Sequence, residues 1–304
     1  MTLSRRDVFK SLGTGAAVAV AGATTVQASS RNPQAPADAI AMLYDATVCI
    51  GCKACVSACT TANNLIPDTT MSGGIWQMPT DLNAQTKNII LLARNGEQHS
   101  FVKRQCMHCV DPACVSGCPF KALTKGKLGV VEWDPYKCIG CRYCEISCPF
   151  DVPRFEWTKF NPKIVKCEFC NHRLAEGKQP ACTEVCPTNA VKFGTRAGLL
   201  AEAKQRIEAN PGKYYQDRVY GEGDLGGTQV LYLSALPFEN LGLPEVGTES
   251  RAHYGSKVHN VIYKGMIIPV GVYAILVAAI KRRYKVMEEE ARREAEETGR
   301  PEQL

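Results

Sequence analysis

Apolar residues are unevenly spread along the chain. Two long apolar stretches lie near the ends, at 13–25 and 261–280. Between them apolar residues come in short runs cut off by cysteine, glycine, proline or charge. Ser100-Phe101-Val102-Lys103 and Gly129-Val130-Val131-Glu132-Trp133 read as short strands, each ahead of a cysteine group. Asn189-Ala190-Val191-Lys192-Phe193 follows a cysteine-proline pair, as Lys121-Ala122-Leu123 does. The pattern then changes period. Thr195 can cap a helix over 196–208, with Leu199, Leu200, Ala203 and Ile207 on one face. The rest of 196–258 is rich in glycine and proline and holds no chemical motif. Residues 286–297 place Glu288/Arg292 and Glu289/Arg293 at i,i+4, the mark of a solvated helix.

The stretch 261–280 is long enough as a helix, roughly 30 Å, to span a bilayer. Lys264 lies in its first turn and can reach the interface. Pro269 is tolerated in a membrane helix. Lys281-Arg282-Arg283-Tyr284-Lys285 follows at once, which predicts a cytoplasmic C-terminus and places 29–260 outside. A buried core helix is the alternative, and it does not account for the basic stop. At the other end, Ser4-Arg5-Arg6-Asp7-Val8-Phe9-Lys10 precedes the apolar stretch, and Val26-Gln27-Ala28 offers a small-residue cleavage site. The segment resembles a twin-arginine export signal, with an ordinary secretory signal as the alternative. Export of folded protein suits a chain whose cofactors are inserted before it crosses.

All 16 cysteines fall into four groups of four. The first is Cys49, Cys52, Cys55 and Cys59; the third is Cys138, Cys141, Cys144 and Cys148. Both follow the C-x2-C-x2-C-x3-C run that holds [4Fe–4S] clusters. The second, Cys106, Cys109, Cys114 and Cys118, and the fourth, Cys167, Cys170, Cys182 and Cys186, are the same device with one loop lengthened. Proline follows three of the groups, and Thr60 stands in that place after the first. Zinc or disulfides are the alternatives. Disulfides need paired partners at fixed separation, which does not generate this spacing repeatedly. The expected fold wraps short hairpins and helices around metal, so the apo domain should be poorly folded.

With 45% hydrophobic and 22% charged residues, composition excludes a disordered, collagenous or polytopic membrane protein. The formal charge is +6. Sixteen thiolates on four cluster cores of roughly +2 each lower that by about 8. Removal of Arg5, Arg6, Lys10 and Asp7 with a leader leaves about −4. The basic balance therefore gives no support for nucleic-acid binding.

Four consecutive quartets resemble the electron-transfer subunits of the DMSO reductase, formate dehydrogenase and nitrite reductase systems. The resemblance implies an α+β fold of tandem ferredoxin-like [4Fe–4S] domains with one C-terminal transmembrane helix. It also implies nested pairing of the groups into four sites. These are Cys49, Cys52, Cys55 and Cys186; Cys59, Cys167, Cys170 and Cys182; Cys106, Cys109, Cys114 and Cys148; and Cys118, Cys138, Cys141 and Cys144. Some relatives replace a cysteine of the third group and hold [3Fe–4S]; Cys141 is intact here, so four [4Fe–4S] clusters are expected.

Within that family the chain looks like the iron–sulfur subunit of the hydrogenase-2 type. Met42-Leu43-Tyr44-Asp45, Lys103-Arg104-Gln105-Cys106-Met107-His108-Cys109-Val110-Asp111-Pro112, Gly226-Gly227-Thr228-Gln229-Val230 and Tyr263-Lys264-Gly265-Met266 carry that likeness. The loop between the first two groups and the region 210–225 are shorter than that type leads one to expect. The implied organisation is a signal peptide (1–28), a linker (29–40), a four-cluster domain (41–195), a partner-binding extension (196–258), a transmembrane helix (259–281) and a charged cytoplasmic tail (282–304). The implied role is non-catalytic: electrons pass between a [NiFe]-hydrogenase, with its small and large subunits, and a polytopic quinone-reactive membrane subunit. Service to a molybdenum oxidoreductase of the formate dehydrogenase, polysulfide or nitrite reductase type is the alternative. A cysteine-rich structural or metal-storage protein is a rival of another class.

His108 and His172 sit beside cysteines but read as neighbours rather than ligands, because each quartet is already complete. Trp76, Trp133 and Trp157 read as packing around the clusters. Lys137, Arg142, Lys166 and Arg173 either offset thiolate charge or serve solubility.

Overall fold

The computed structural model describes residues 34–298, apart from 69–77, 158, 160, 161 and 163. The export signal expected over 1–28 and Trp76 lie outside the described residues. In chain order, β1 (Ile40–Asp45) leads into the first cysteine group, which ends in α1 (Ala54–Ala62). The hairpin β2 (Asn88–Asn95) and β3 (Gln98–Gln105) leads into the second group and α2 (Ala113–Ser116). The hairpin β4 (Leu123–Lys125) and β5 (Val131–Trp133) leads into the third group and α3 (Tyr143–Ile146). Then follow β6 (Arg154–Phe155), β7 (Ile164–Val165), α4 (Asn171–Ala175), α5 (Ala181–Glu184), β8 (Val191–Thr195), α6 (Arg196–Ala209), β9 (Val230–Leu233) and α7 (Ala252–Thr298).

The cysteine loops turn on left-handed backbone. Gly51 and Lys53 have φ of 69° and 58°, and Gly140 and Arg142 have 72° and 64° at the same places in the third group. At Gly51 a Cβ would also meet the Phe101 ring at 2.4 Å, so glycine is required twice over. Past each cysteine-proline pair, Lys121, Asp151 and Asn189 turn left-handed at 51°, 50° and 52°. Thr60 changes this in the first group. Its hydroxyl donates to the Val56 carbonyl at 3.1 Å, the helix runs on to Ala62, and the left-handed turn waits until Asn64.

Helix α1 packs on α5, and α2 packs on α3. The second contact is close: a Cβ on Gly117 would lie 2.6 Å from Ser147 Oγ. The first and fourth groups thus come together, as do the second and third. The sheet order β8–β1–β9 reinforces the first pairing. β8 runs antiparallel to β1 with Val191 opposite Tyr44, which ties the strand before the first group to the strand after the fourth.

One face of this sheet, with Leu43, Leu231 and Leu233, packs on Leu199 and Ala203 of α6. The other, with Met42, Tyr44 and Tyr232, packs toward the cysteines. The segment 196–258 therefore does more than extend the fold. Its β9 pairs parallel to β1, with Val230 opposite Met42, and Tyr220, Leu225, Phe238 and Leu241 are buried in the core. Helix α7 continues unbroken through Pro269. It packs against α2 near its start, where Ala252 is buried and Ser250 Oγ donates to the Asp111 carbonyl at 3.3 Å. Within Lys264–Glu297 it contains an apolar window long enough to cross a membrane, and none of that window is buried.

Candidate metal centres

The turns described above aim cysteine side chains into shared spaces. Cys49, Cys52, Cys55 and Cys186 line one cavity with Ile50, Lys53 and Pro187. Cys118, Cys138, Cys141 and Cys144 line another with Ile139, Phe155 and Ile164. Electrostatic neighbours bring other cysteines together. The charge of Cys109 is opposed by Cys114, Cys148 and Cys106. That of Cys59 is opposed by Cys182 and Cys170, and that of Cys167 by Cys182 and Cys59.

None of the sixteen thiols is in a disulfide. Among the described residues, no three His, Cys, Asp or Glu side chains lie close enough to share one metal ion. Zinc would need its sulfurs within about 2.3 Å of one point. The quartets are more open than that, and soft thiolates around a wider space suit a multi-iron core. Burial pushes the Cys55 and Cys144 thiols up to about 12, and neighbouring cysteines add to the rise. It pushes Cys59 and Cys148 to about 11. Thiolates held this close and this dry require a positive core between them. Some sulfurs also accept hydrogen bonds, from the Ala122 N–H to Cys118 at 3.3 Å and from Asn63 Nδ2 to Cys59 at 3.6 Å.

The cysteine groups follow one another in space. Cys55 and Cys59 on α1 join the first two. Cys144 on α3 and Cys148 just past it join the last two. Between the inner sets, Cys167 feels the charge of Cys106. There the His108 and Phe169 rings, both fully buried, meet edge to face at 4.4 Å. Only Cys52 and Cys141, one at each end, are exposed.

His108 is a neighbour in the sense expected: its Nδ1 accepts the Val131 N–H at 3.0 Å. His172 is exposed on α4. Trp133 packs against the buried cluster of Leu123, Val131, Cys144, Phe155 and Ile164, whereas Trp157 is exposed and stacked on Arg142 at 3.8 Å. Lys137 pairs with Asp134 at 3.0 Å and Arg173 with Glu184, as solvated cations do. Lys166 is different: it is buried, and its Nζ donates to the Val131 and Cys167 carbonyls. Two lysines were not singled out by sequence. Lys103 is buried beside the cysteines, and Lys125 donates to the His108 carbonyl at 3.2 Å. The available signal for Lys103 was a lysine inside an apolar strand run, three residues ahead of a cysteine group.

Two family profiles described as "4Fe-4S dicluster domain" match residues 41–119 and 97–196. The hydrogenase-2 operon protein HybA of Escherichia coli O157:H7 is 37% identical over 319 aligned residues, covering 93% of this chain and 96% of that protein. The protein of that name from Shigella flexneri matches equally. The nitrate-inducible formate dehydrogenase iron–sulfur subunit of Escherichia coli K12 is 36% identical over 64% of this chain and 67% of its own length. Tandem 4Fe-4S domains and a likeness over 93% of the chain agree: the chain belongs to the HybA family of iron–sulfur electron-transfer subunits, which are not themselves catalytic.

Proposed function

We propose that this chain is a membrane-anchored conduit on the periplasmic side, carrying electrons between a [NiFe]-hydrogenase and a quinone-reactive integral membrane subunit. Four [4Fe–4S] clusters would be held by Cys49, Cys52, Cys55 and Cys186; by Cys59, Cys167, Cys170 and Cys182; by Cys106, Cys109, Cys114 and Cys148; and by Cys118, Cys138, Cys141 and Cys144. Bound there, each cluster takes up and releases an electron. The chain's own side chains hold the row in order, exclude water from its middle, and leave Cys52 and Cys141 open as the two ends. The two cysteine-lined cavities, each with one exposed cysteine, Cys52 and Cys141, are the observation that supports the reading.

The two ends differ. Around Cys141 the exposed side chains of Tyr136, Ile139, Tyr143 and Ile146 form an apolar surface. It surrounds α3, which packs on α2, against which α7 also packs. This supports docking of the membrane subunit at the Cys141 end and of the hydrogenase at the Cys52 end. The export signal and the basic stop after 280 support the periplasmic placement.

Membranes from a host lacking this chain test the role. Hydrogen-dependent quinone reduction should be lost while hydrogen-dependent dye reduction persists. Loss of formate-dependent quinone reduction, with the hydrogen pathway intact, would transfer the role to a molybdenum enzyme.

A further inference from the structure

Lys103 is 1% exposed. An ammonium group sealed from water is strongly unfavourable unless something pairs with it. Lys166, the other sealed lysine, is met by two carbonyls at 2.6 and 3.2 Å. Lys103 donates to Gln105 Oε1, two residues on, and no carboxylate pairs with it among the described residues. It stands on β3 opposite Ile90, which lines the cavity of Cys49, Cys52, Cys55 and Cys186, and β2 of the same hairpin packs on α1.

Four thiols act on its charge: Cys182, Cys55, Cys167 and Cys59. Three belong to the Cys59, Cys167, Cys170 and Cys182 set, and Cys55 belongs to the neighbouring set with Cys49. Lys103 therefore lies at the boundary of two quartets.

We propose that Lys103 is a fixed positive charge shared by the first two clusters, raising their reduction potentials and easing electron flow through that half of the row. The physical basis is simple. Each reduction adds a negative charge to a dry site, and a cation nearby favours the reduced form. No proton needs to move. The inference rests on the reading that these two quartets hold [4Fe–4S] clusters.

The test is a redox titration followed by electron paramagnetic resonance, on full-length, cluster-loaded protein. Wild type, Lys103→Met and Lys103→Arg are compared. Iron per wild-type chain is measured first; far fewer than about sixteen irons would defeat the cluster reading itself, apart from any role of Lys103. In Lys103→Met, two of the four signals should reduce at lower potential. The expected change is at least tenfold in the reduced-to-oxidised ratio at fixed potential, about 59 mV for one electron. Lys103→Arg should keep both signals near wild type. Unchanged potentials in Lys103→Met, or an equal shift in Lys103→Arg, would overturn the proposal. If clusters are lost, loss in Lys103→Met alone supports a need for the charge, and loss in both variants overturns it in favour of packing.

Discussion

Arg154 gathers three carboxylates around one guanidinium. It meets both Asp151 oxygens at 2.7 Å, Asp81 at 3.0 Å and Glu145 at 3.7 Å, and its Nε donates to the Leu82 carbonyl. These groups come from the loop before β2, from α3 and from the turn after Cys148, so one side chain staples three parts of the fold. Asp151 is largely exposed and screened, so Arg154→Ala should cost only about 1 kcal/mol, a few degrees of melting temperature. The Arg154 guanidinium holds the Asp151 carboxyl below its ordinary 3.8. A depressed acid contributes stability above its unfolded value and loses it as pH falls through the folded one. The melting difference between wild type and Arg154→Ala should therefore be full at pH 7 and shrink below about pH 4. A difference that grew in acid would show that Asp151 is not the partner that matters. At this scale the cysteines were legible, because ligand spacing is local. Lys103 and Arg154 were not, because burial and partnership depend on residues distant in sequence.

Elements show the same division. Helix α6 was readable from its cap and apolar face, and Thr195 Oγ1 does accept the Gly198 N–H, at 3.3 Å. The short hairpin β4–β5 was half readable, since the run at Val130 and Val131 pointed to a strand but Leu123 gave no register. Strand β9 was hidden: it is four residues long, lies in a stretch rich in glycine and proline, and gains its place by parallel pairing with the distant β1. Helix α7 was read as two pieces, the apolar stretch and the charged tail, whereas it is one helix that begins on the folded domain at Ala252. Truncation after His259 keeps that start and every cysteine. The shortened protein should be soluble, with iron content unchanged, and should fail to deliver hydrogen-derived electrons to quinone while dye reduction persists. The anchor confines docking to two dimensions, and its loss removes that advantage. Full quinone reduction by the truncated form would show α7 to be a dispensable tether.

The molecule as a whole joins the outer and inner cysteine groups by two different means. The outer pair depends on the β1–β8 strands and on α1 against α5, which link residues far apart in the chain. The inner pair depends on the β4–β5 hairpin and on α2 against α3. The spacing of cysteines revealed four quartets but not which thiols meet, since that is decided by these long-range contacts. Nested pairing is the central claim, and one comparison tests it most directly. Electron paramagnetic resonance of reduced full-length protein is recorded for Cys49→Ser and for Cys186→Ser. Both changes should alter the same signal and leave the remaining three, because both cysteines line one cavity. Different signals altered by the two changes would contradict the account.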